Sequence, residues 1–306
     1  MSRIHEALKK AAQERATAAA PQAALQSELV LPVEPAAPER EIREVFAQAA
    51  STSASDHLRL EDLAAESSHR RWNPDPNVNV FFNSEAGGHG AEQFRTLRSR
   101  LYQLRATLPL RKLLVTSSIP AEGKTFVATN LAQAIVRQPG RHALLIDCDL
   151  RCPRIHVPLG ASLAPGLADY LRGEASEKAV IQKDGDGGLC VITGGKEVKD
   201  PSELLSNGRL KSLLERVTPL FDWVILDSPP CLPVADANIL ADFCDGVLMV
   251  VEAGSTPSEV AQRACQEFRE RNLVGIVLNR GEQKKGYAGY YYSYGTEYGR
   301  HAGKPS

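Results

Sequence analysis

Gly123, Lys124 and Thr125 stand together inside the run VTSSIPAEGKTFVATNLA. An apolar strand precedes them and an apolar-periodic helix follows, which is the strand, loop and helix context that a phosphate-binding loop requires. In that setting the backbone N–H groups that follow Pro120, from Ala121, Glu122 and Gly123 through Lys124, Thr125 and Phe126, meet a nucleotide's phosphates at a helix N-terminus. Unpaired donors and the helix dipole favour anions there. Lys124 is expected to reach the β- and γ-phosphates, and Thr125 to place its hydroxyl on Mg²⁺. The usual pattern opens with glycine, and Ser118 holds that place here.

Two aspartate motifs follow strand-like runs. LLIDCDLR puts Asp147 and Asp149 after apolar residues, with Arg151 beyond. Ligands of an open parallel sheet bind outside the carboxyl ends of its strands, so these acids should face the phosphate loop. A carboxylate there can hold Mg²⁺ through water or accept a proton from an attacking hydroxyl. The competing reading is an Asp that ends a strand and caps the next helix. WVILDSPP repeats the pattern with Asp227 in the Walker B position, stiffened by Pro229 and Pro230. Asn279 and Arg280 end the last strand, VGIVLNR. The Asn279 amide could read an adenine edge, or simply form a turn.

The elements that must position these groups alternate in type. Phe94, Leu97, Leu101 and Leu104 make one face of a helix from His89 to Leu104, with Glu92, Arg95 and Arg98 off that face. KLLVTSS, HALLIDCDL, DWVILDSPP, GVLMVVEA and VGIVLNR read as short, continuously apolar strands, with a helix from Lys124 and another from Ser258 to Arg271. Such runs suit a mostly parallel sheet covered by helices on both faces. Residues 87–282 are therefore read as one doubly wound α/β domain. Residues 1–86, rich in Ala, Pro, Glu and Ser, cannot bury enough apolar surface to fold alone and are expected to be largely disordered, apart from a short stripe of Ile4, Ala7, Leu8 and Ala11.

Residues 283–306 form a Gly- and Tyr-rich tail holding Tyr287, Tyr290, Tyr291, Tyr292, Tyr294 and Tyr298. A net charge of −1 and a charged fraction of 24% give no basic field, which argues against nucleic acid as a partner. No run reaches the roughly 18 to 20 apolar residues of a membrane span. The N-terminus lacks the apolar run of a secretory signal, so a cytoplasmic location is expected. The six cysteines include no C-x-x-C pair and read as reduced thiols in or near the core.

Taken together, EQFRTLR at 92–98, SSIPAEGKT at 117–125, LLIDCDLRCPRIH at 144–156, DPSELL at 200–205, VILDSPP at 224–230 and the tyrosine tail resemble the bacterial tyrosine autokinases of capsule and exopolysaccharide synthesis, of the CpsD/CapB type. The resemblance covers about residues 85–300, and that family's phosphate loop commonly lacks the first glycine. It implies a P-loop NTPase fold, ATP and Mg²⁺ as cofactors, and transfer of the γ-phosphate to the tail tyrosines. Lys124, Asp147, Asp149 and Asp227 become catalytic residues, and Thr125, Asp147 and Asp227 organise the metal. Asp147 is the better candidate for assisting the tyrosine hydroxyl.

The same resemblance implies a homo-oligomeric ring in which Glu92, Arg95 and Arg98 make subunit contacts and each tail reaches a neighbour's site. It further implies a separate membrane-spanning chain-length-determinant activator, which holds the kinase at the inner face of the plasma membrane. A tyrosine phosphatase and exopolysaccharide enzymes are further implied partners, and MSRIHEALKKA resembles a docking peptide. The rival reading is a switch ATPase of the MinD/ParA group, but Ile119 stands where that group carries its signature lysine. A catalytically silent scaffold is the third.

Overall fold

The computed structural model describes residues 72–81, 89–183 and 188–281. The N-terminal stripe and the tail tyrosines lie outside them. Seven strands form one sheet: β1 (Lys112–Ser117), β2 (Ala143–Asp147), β3 (Ile181–Lys183), β4 (Leu189–Ile192), β5 (Trp223–Asp227), β6 (Gly246–Glu252) and β7 (Leu273–Asn279), in the order β3-β4-β2-β5-β1-β6-β7. All neighbours pair in parallel except β3, which runs antiparallel to β4. Every residue of β2, β4 and β5 is buried, which explains why these strands read as continuous apolar runs.

Helices cover both faces. On one, α1 (His89–Arg105) and α2 (Lys124–Val136) bury Phe94, Leu101, Leu131 and Ile135 against Leu113, Val115, Leu145 and Ile225. Leu97 and Leu104 pack on the same cluster, as the helical spacing predicts. After β2 come α3 (His156–Leu159), α4 (Leu167–Arg172) and α5 (Glu177–Val180), and between β4 and β5 lie α6 (Pro201–Ser206) and α7 (Arg209–Val217). With α8 (Asp236–Ala241) and α9 (Ser258–Glu267), helices α4, α6 and α7 bury residues on the opposite face.

Three features differ from the sequence reading. The last helix, expected to reach Arg271, ends at Glu267: Phe268 leaves the helical region and is fully buried, and Asn272 at φ 50° turns the chain into β7. The middle section supplies β3 and β4, which were not anticipated. Packing also begins before residue 87. Trp72 and Phe81 belong to the α1/α2 cluster, and residues 72–81 lie as a strap across α2. Asn130 accepts from the Val80 N–H and donates to the Val78 carbonyl, while Gln133 donates to Asn79 and Arg137 to the Phe81 carbonyl. Asp75 N–H meets the Pro158 carbonyl at 3.0 Å, joining the strap to α3.

The two sheet edges are unequal. β7 keeps Ile276 51% and Leu278 69% exposed over an open groove of about 1070 Å³ beside α9. Among the described residues every cysteine is free; Cys148, Cys190 and Cys231 are buried, whereas Cys152 is exposed.

Candidate nucleotide and phosphoryl-transfer site

β1 ends at Ser117 and α2 begins at Lys124, so the loop 118–123 opens onto the carboxyl ends of β2 and β5. Two of its residues sit in the left-handed region, Ala121 at φ 70° and Gly123 at φ 91°. A Cβ on Gly123 would fall 2.1 Å from the Asn279 amide nitrogen, so a side chain here would be strained by the positive φ and would displace Asn279.

From the first turn of α2, Lys124 Nζ reaches Asp149 Oδ2 at 2.8 Å and Thr125 Oγ1 donates to Asp227 Oδ2 at 2.7 Å. Asp147 and Asp227 are register partners at the ends of β2 and β5. The sheet thus gathers Lys124, Thr125, Asp147, Asp149 and Asp227 around the loop, as the two strand-end motifs predict. Asp149 also accepts from the Cys152 N–H at 3.1 Å and so shapes the turn after β2, but it caps no helix: α3 begins at His156 without a side-chain cap.

Burial sets the electrostatics. Desolvation and then the charge of Asp227 push the Asp147 carboxyl up to about 8, although the Ile155 and Arg154 N–H groups pull the other way. Desolvation also raises Asp227, to about 6, against Lys124 and the Thr125 hydroxyl. For Lys124, burial works against its charge, but Asp227, Asp149 and Asp147 outweigh that and hold the ammonium above its usual value. The site is a buried acidic pocket that retains one cation.

Asp227 Oδ1 is buried and has no partner, and it lies on the carboxylate that already holds the Thr125 hydroxyl. An orphaned acceptor beside a hydroxyl oxygen fits a hard divalent cation with oxygen ligands. Among the described residues no group of three or more His, Cys, Asp or Glu could hold a metal unaided. Mg²⁺ would therefore be shared with nucleotide phosphates, as is usual for this ion.

The other expected site residues lie around this cluster. Glu122 is 1% exposed and turns its carboxylate into the protein, accepting from Ile119 N–H and Thr256 Oγ1, so only its backbone is left for a ligand. Phe126 packs edge-on to Phe94, with ring centroids 5.7 Å apart. Asn279 donates its Nδ2 to the Glu122 carbonyl, 2.8 Å away, so its amide braces the loop. Arg280 pairs with Glu252 at 2.9 Å, while Pro120 and Ala121 are exposed at the loop's rim.

On α1, Glu92 and Arg95 form an exposed pair at 3.0 Å. Arg98 does not share their solvated face: it is half-buried and donates to the Ala134 carbonyl at 2.6 Å. The sequence reading missed Asp236. This buried acid on α8 takes both Arg151 Nε at 2.7 Å and Arg151 Nη2 at 3.2 Å, and so ties the loop after β2 to the loop after β5. Arg151 inside the Asp-Cys-Asp-Leu-Arg run was the available signal, but its partner lies 85 residues away.

A phosphate loop after β1 faced by carboxylates from β2 and β5 defines a domain of the P-loop NTPase type. No family model matches the chain. It is 34% identical over 221 residues to the tyrosine-protein kinase YwqD of Bacillus subtilis, covering 72% of this chain and 92% of that protein. With tyrosine-protein kinase Etk of Escherichia coli it shares 35% identity over 203 residues, 66% of this chain but 28% of that one. The solved kinase domain of the E. coli enzyme matches with a TM-score of 0.64 at 32% identity, covering 72% of this chain and 85% of that domain. The succinoglycan biosynthesis transport protein ExoP of Rhizobium meliloti is 32% identical over 200 residues, 64% of this chain and 25% of ExoP. The chain belongs to the bacterial tyrosine-protein kinases and is an enzyme of that class.

Proposed function

We propose that this kinase transfers the γ-phosphate of ATP to the tyrosines of its own C-terminal cluster, Tyr287, Tyr290, Tyr291, Tyr292, Tyr294 and Tyr298, between subunits of an oligomer. The observation that carries the nucleotide half of this reading is the double docking at the start of α2, where Lys124 and Thr125 are each held by a carboxylate from a different strand. Incoming phosphate oxygens would compete for the Lys124 ammonium and draw it from Asp149. The loop N–H groups would receive the β-phosphate at the helix start.

Thr125 and Asp227 are the residues that would hold Mg²⁺ jointly with the phosphates. When bound, the ion neutralises charge developing on the transferred group. We assign the tyrosine hydroxyl to Asp147, whose carboxylate is oriented by the N–H groups of Asp149, Arg154 and Ile155 at 3.2, 2.9 and 3.0 Å. Release of Asp149 from Lys124 leaves a second carboxylate beside it. Positioning and charge neutralisation supply most of the rate in such chemistry.

Capsule or exopolysaccharide synthesis is the process we infer, supported by the similarity to the succinoglycan biosynthesis transport protein ExoP. Among the described residues no helix is long and apolar enough to cross a membrane, and the chain matches about a quarter of the length of Etk and ExoP. The partner we infer is a separate membrane-spanning activator that holds the kinase at the inner membrane face. Glu92 and Arg95, the exposed pair on α1, are the candidates for contacts between kinase subunits. The test is phosphotyrosine mapping by mass spectrometry after incubation with Mg·ATP, for wild type and Lys124→Met. Modification confined to Tyr287–Tyr298 and lost in the variant supports the reading, whereas ATP hydrolysis without phosphotyrosine overturns it in favour of a switch ATPase.

A further inference from the structure

Glu122 presents a physical puzzle: a carboxylate sits inside a loop whose task is to receive anions. It is 1% exposed although its neighbours Pro120 and Ala121 are open to solvent. Among the described residues no cation pairs with it. Its Oε2 accepts from the Ile119 N–H at 2.9 Å, and its Oε1 accepts from Thr256 Oγ1 at 2.5 Å and from the Glu252 N–H at 3.3 Å. Its own carbonyl accepts from Asn279 Nδ2 at 2.8 Å. One residue therefore ties the loop to itself, to the end of β6, to the turn before α9 and to the end of β7.

All three donors to the side chain are neutral, so its value there is acceptor capacity. A carboxylate accepts on both oxygens, whereas the amide of glutamine offers one accepting oxygen. The residues on either side of Glu122 are the two with positive φ, and Ala121 at φ 70° carries a Cβ that this region disfavours. A strained backbone persists only where its surroundings over-determine it. The Ile119 to Glu122 bond spans Ala121 and supplies that constraint from within the loop. The Thr256 and Asn279 bonds supply it from the sheet.

We propose that Glu122 is a positioning residue for nucleotide binding: its carboxylate holds Ala121 in the left-handed conformation and so keeps the loop N–H groups turned toward the phosphates. This deepens the reading of residues 118–125 as a nucleotide site and rests on it. Without the carboxylate, Ala121 relaxes to negative φ, the peptide planes beside it rotate, and the donors no longer converge. Glycine at position 121 carries no such penalty, so it should restore the native loop without the clamp.

The experiment measures Mg²⁺-dependent affinity for N-methylanthraniloyl-ADP by fluorescence titration, well below the melting temperature of each full-length variant. Wild type, Glu122→Gln, Glu122→Ala and the double variant Ala121→Gly/Glu122→Ala are compared. Wild type that fails to bind the probe would sink the nucleotide reading itself. Given wild-type binding, the expected result is a loss of tenfold or more in Glu122→Ala, a smaller loss in Glu122→Gln, and recovery of at least threefold in the double variant. A purely structural role lowers melting temperature but gives no such recovery. Affinity within twofold of wild type in Glu122→Ala, or no recovery on adding Ala121→Gly, overturns the clamp. If Glu122→Ala does not fold, Glu122→Gln alone and combined with Ala121→Gly decide by the same comparison.

Discussion

Asp147 and Asp227 face each other as register partners across β2 and β5, yet their oxygens are used in opposite ways. Both oxygens of Asp147 are taken by backbone N–H groups of its own following loop. Asp227 gives one oxygen to Thr125 and leaves the other without a partner. Two chemically identical side chains at equivalent strand ends are thereby divided, Asp147 oriented by its own loop for the tyrosine hydroxyl we assign to it and Asp227 left with one oxygen open to a metal ion.

This division makes Asp227→Asn the more selective lesion. The amide retains a bond to Thr125 but loses the anionic oxygen facing the metal position. We expect kcat/KM for ATP to fall by about 100-fold or more, with partial compensation at high Mg²⁺. Initial rates over a Mg²⁺ titration read this out, and unchanged Mg²⁺ dependence would exclude Asp227 as a ligand.

The raised carboxyls give the metal-free protein a defined pH response. A carboxyl whose folded-state value lies above its unfolded value contributes stability below the unfolded value, about 4, that is lost as pH rises through the folded value. Asp227 at about 6 and Asp147 at about 8 therefore make the apo protein progressively less stable between pH 4 and 8. Urea midpoints measured without Mg²⁺ should show that decline. Asp227→Asn should remove the part lost up to about pH 6, and parallel curves for variant and wild type would contradict the assignment.

Lys124 and Asp149 form a pair with side chains 16% and 7% exposed. Removing Asp149 leaves the ammonium partly uncompensated, although Asp227 and Asp147 still surround it. Asp149→Ala is expected to cost about 3 kcal/mol, the low end for breaking a buried pair. Equilibrium urea unfolding checks this, and a cost below about 1 kcal/mol would mean that the remaining acids suffice.

The strap offers a test of where the folded unit starts. Phe81 is 2% exposed and Trp72 9%, both in the α1/α2 cluster. A chain starting at residue 72 should melt well above one starting at 87, because truncating one buried aromatic alone costs about 3 kcal/mol or more. Equal melting temperatures would return the boundary to 87.

Much of this arrangement was legible in local patterns. β1, β2 and β5 are apolar runs, Asp147 and Asp227 end β2 and β5, and Lys124 and Thr125 open the helix after the loop that follows β1, so parallel pairing converges them without further information. What escaped the sequence reading depends on distant partners. The burial of the Glu122 side chain depends on Thr256, 134 positions away. The bond by which Asn279 braces the loop joins it to the Glu122 carbonyl across 157 positions. The strap has no periodicity at all: its order comes from Asn130 and Gln133 of α2 bonding its backbone and Asn79. Arg98 sits at a solvent-facing spacing but finds a carbonyl on α2.

The exposed edge at β7 has a consequence on the time axis. Strands buried on both sides open only with global unfolding, whereas a half-covered edge strand opens locally and more often. β7 carries Asn279, and Asn279 holds the Glu122 carbonyl. Each local opening of that edge therefore loosens the phosphate loop while β1, β2 and β5 stay closed. In a deuterium-exchange time course, β7 amides and the loop should exchange together, ahead of the sheet's centre. On warming, nucleotide affinity should fade before the fold does.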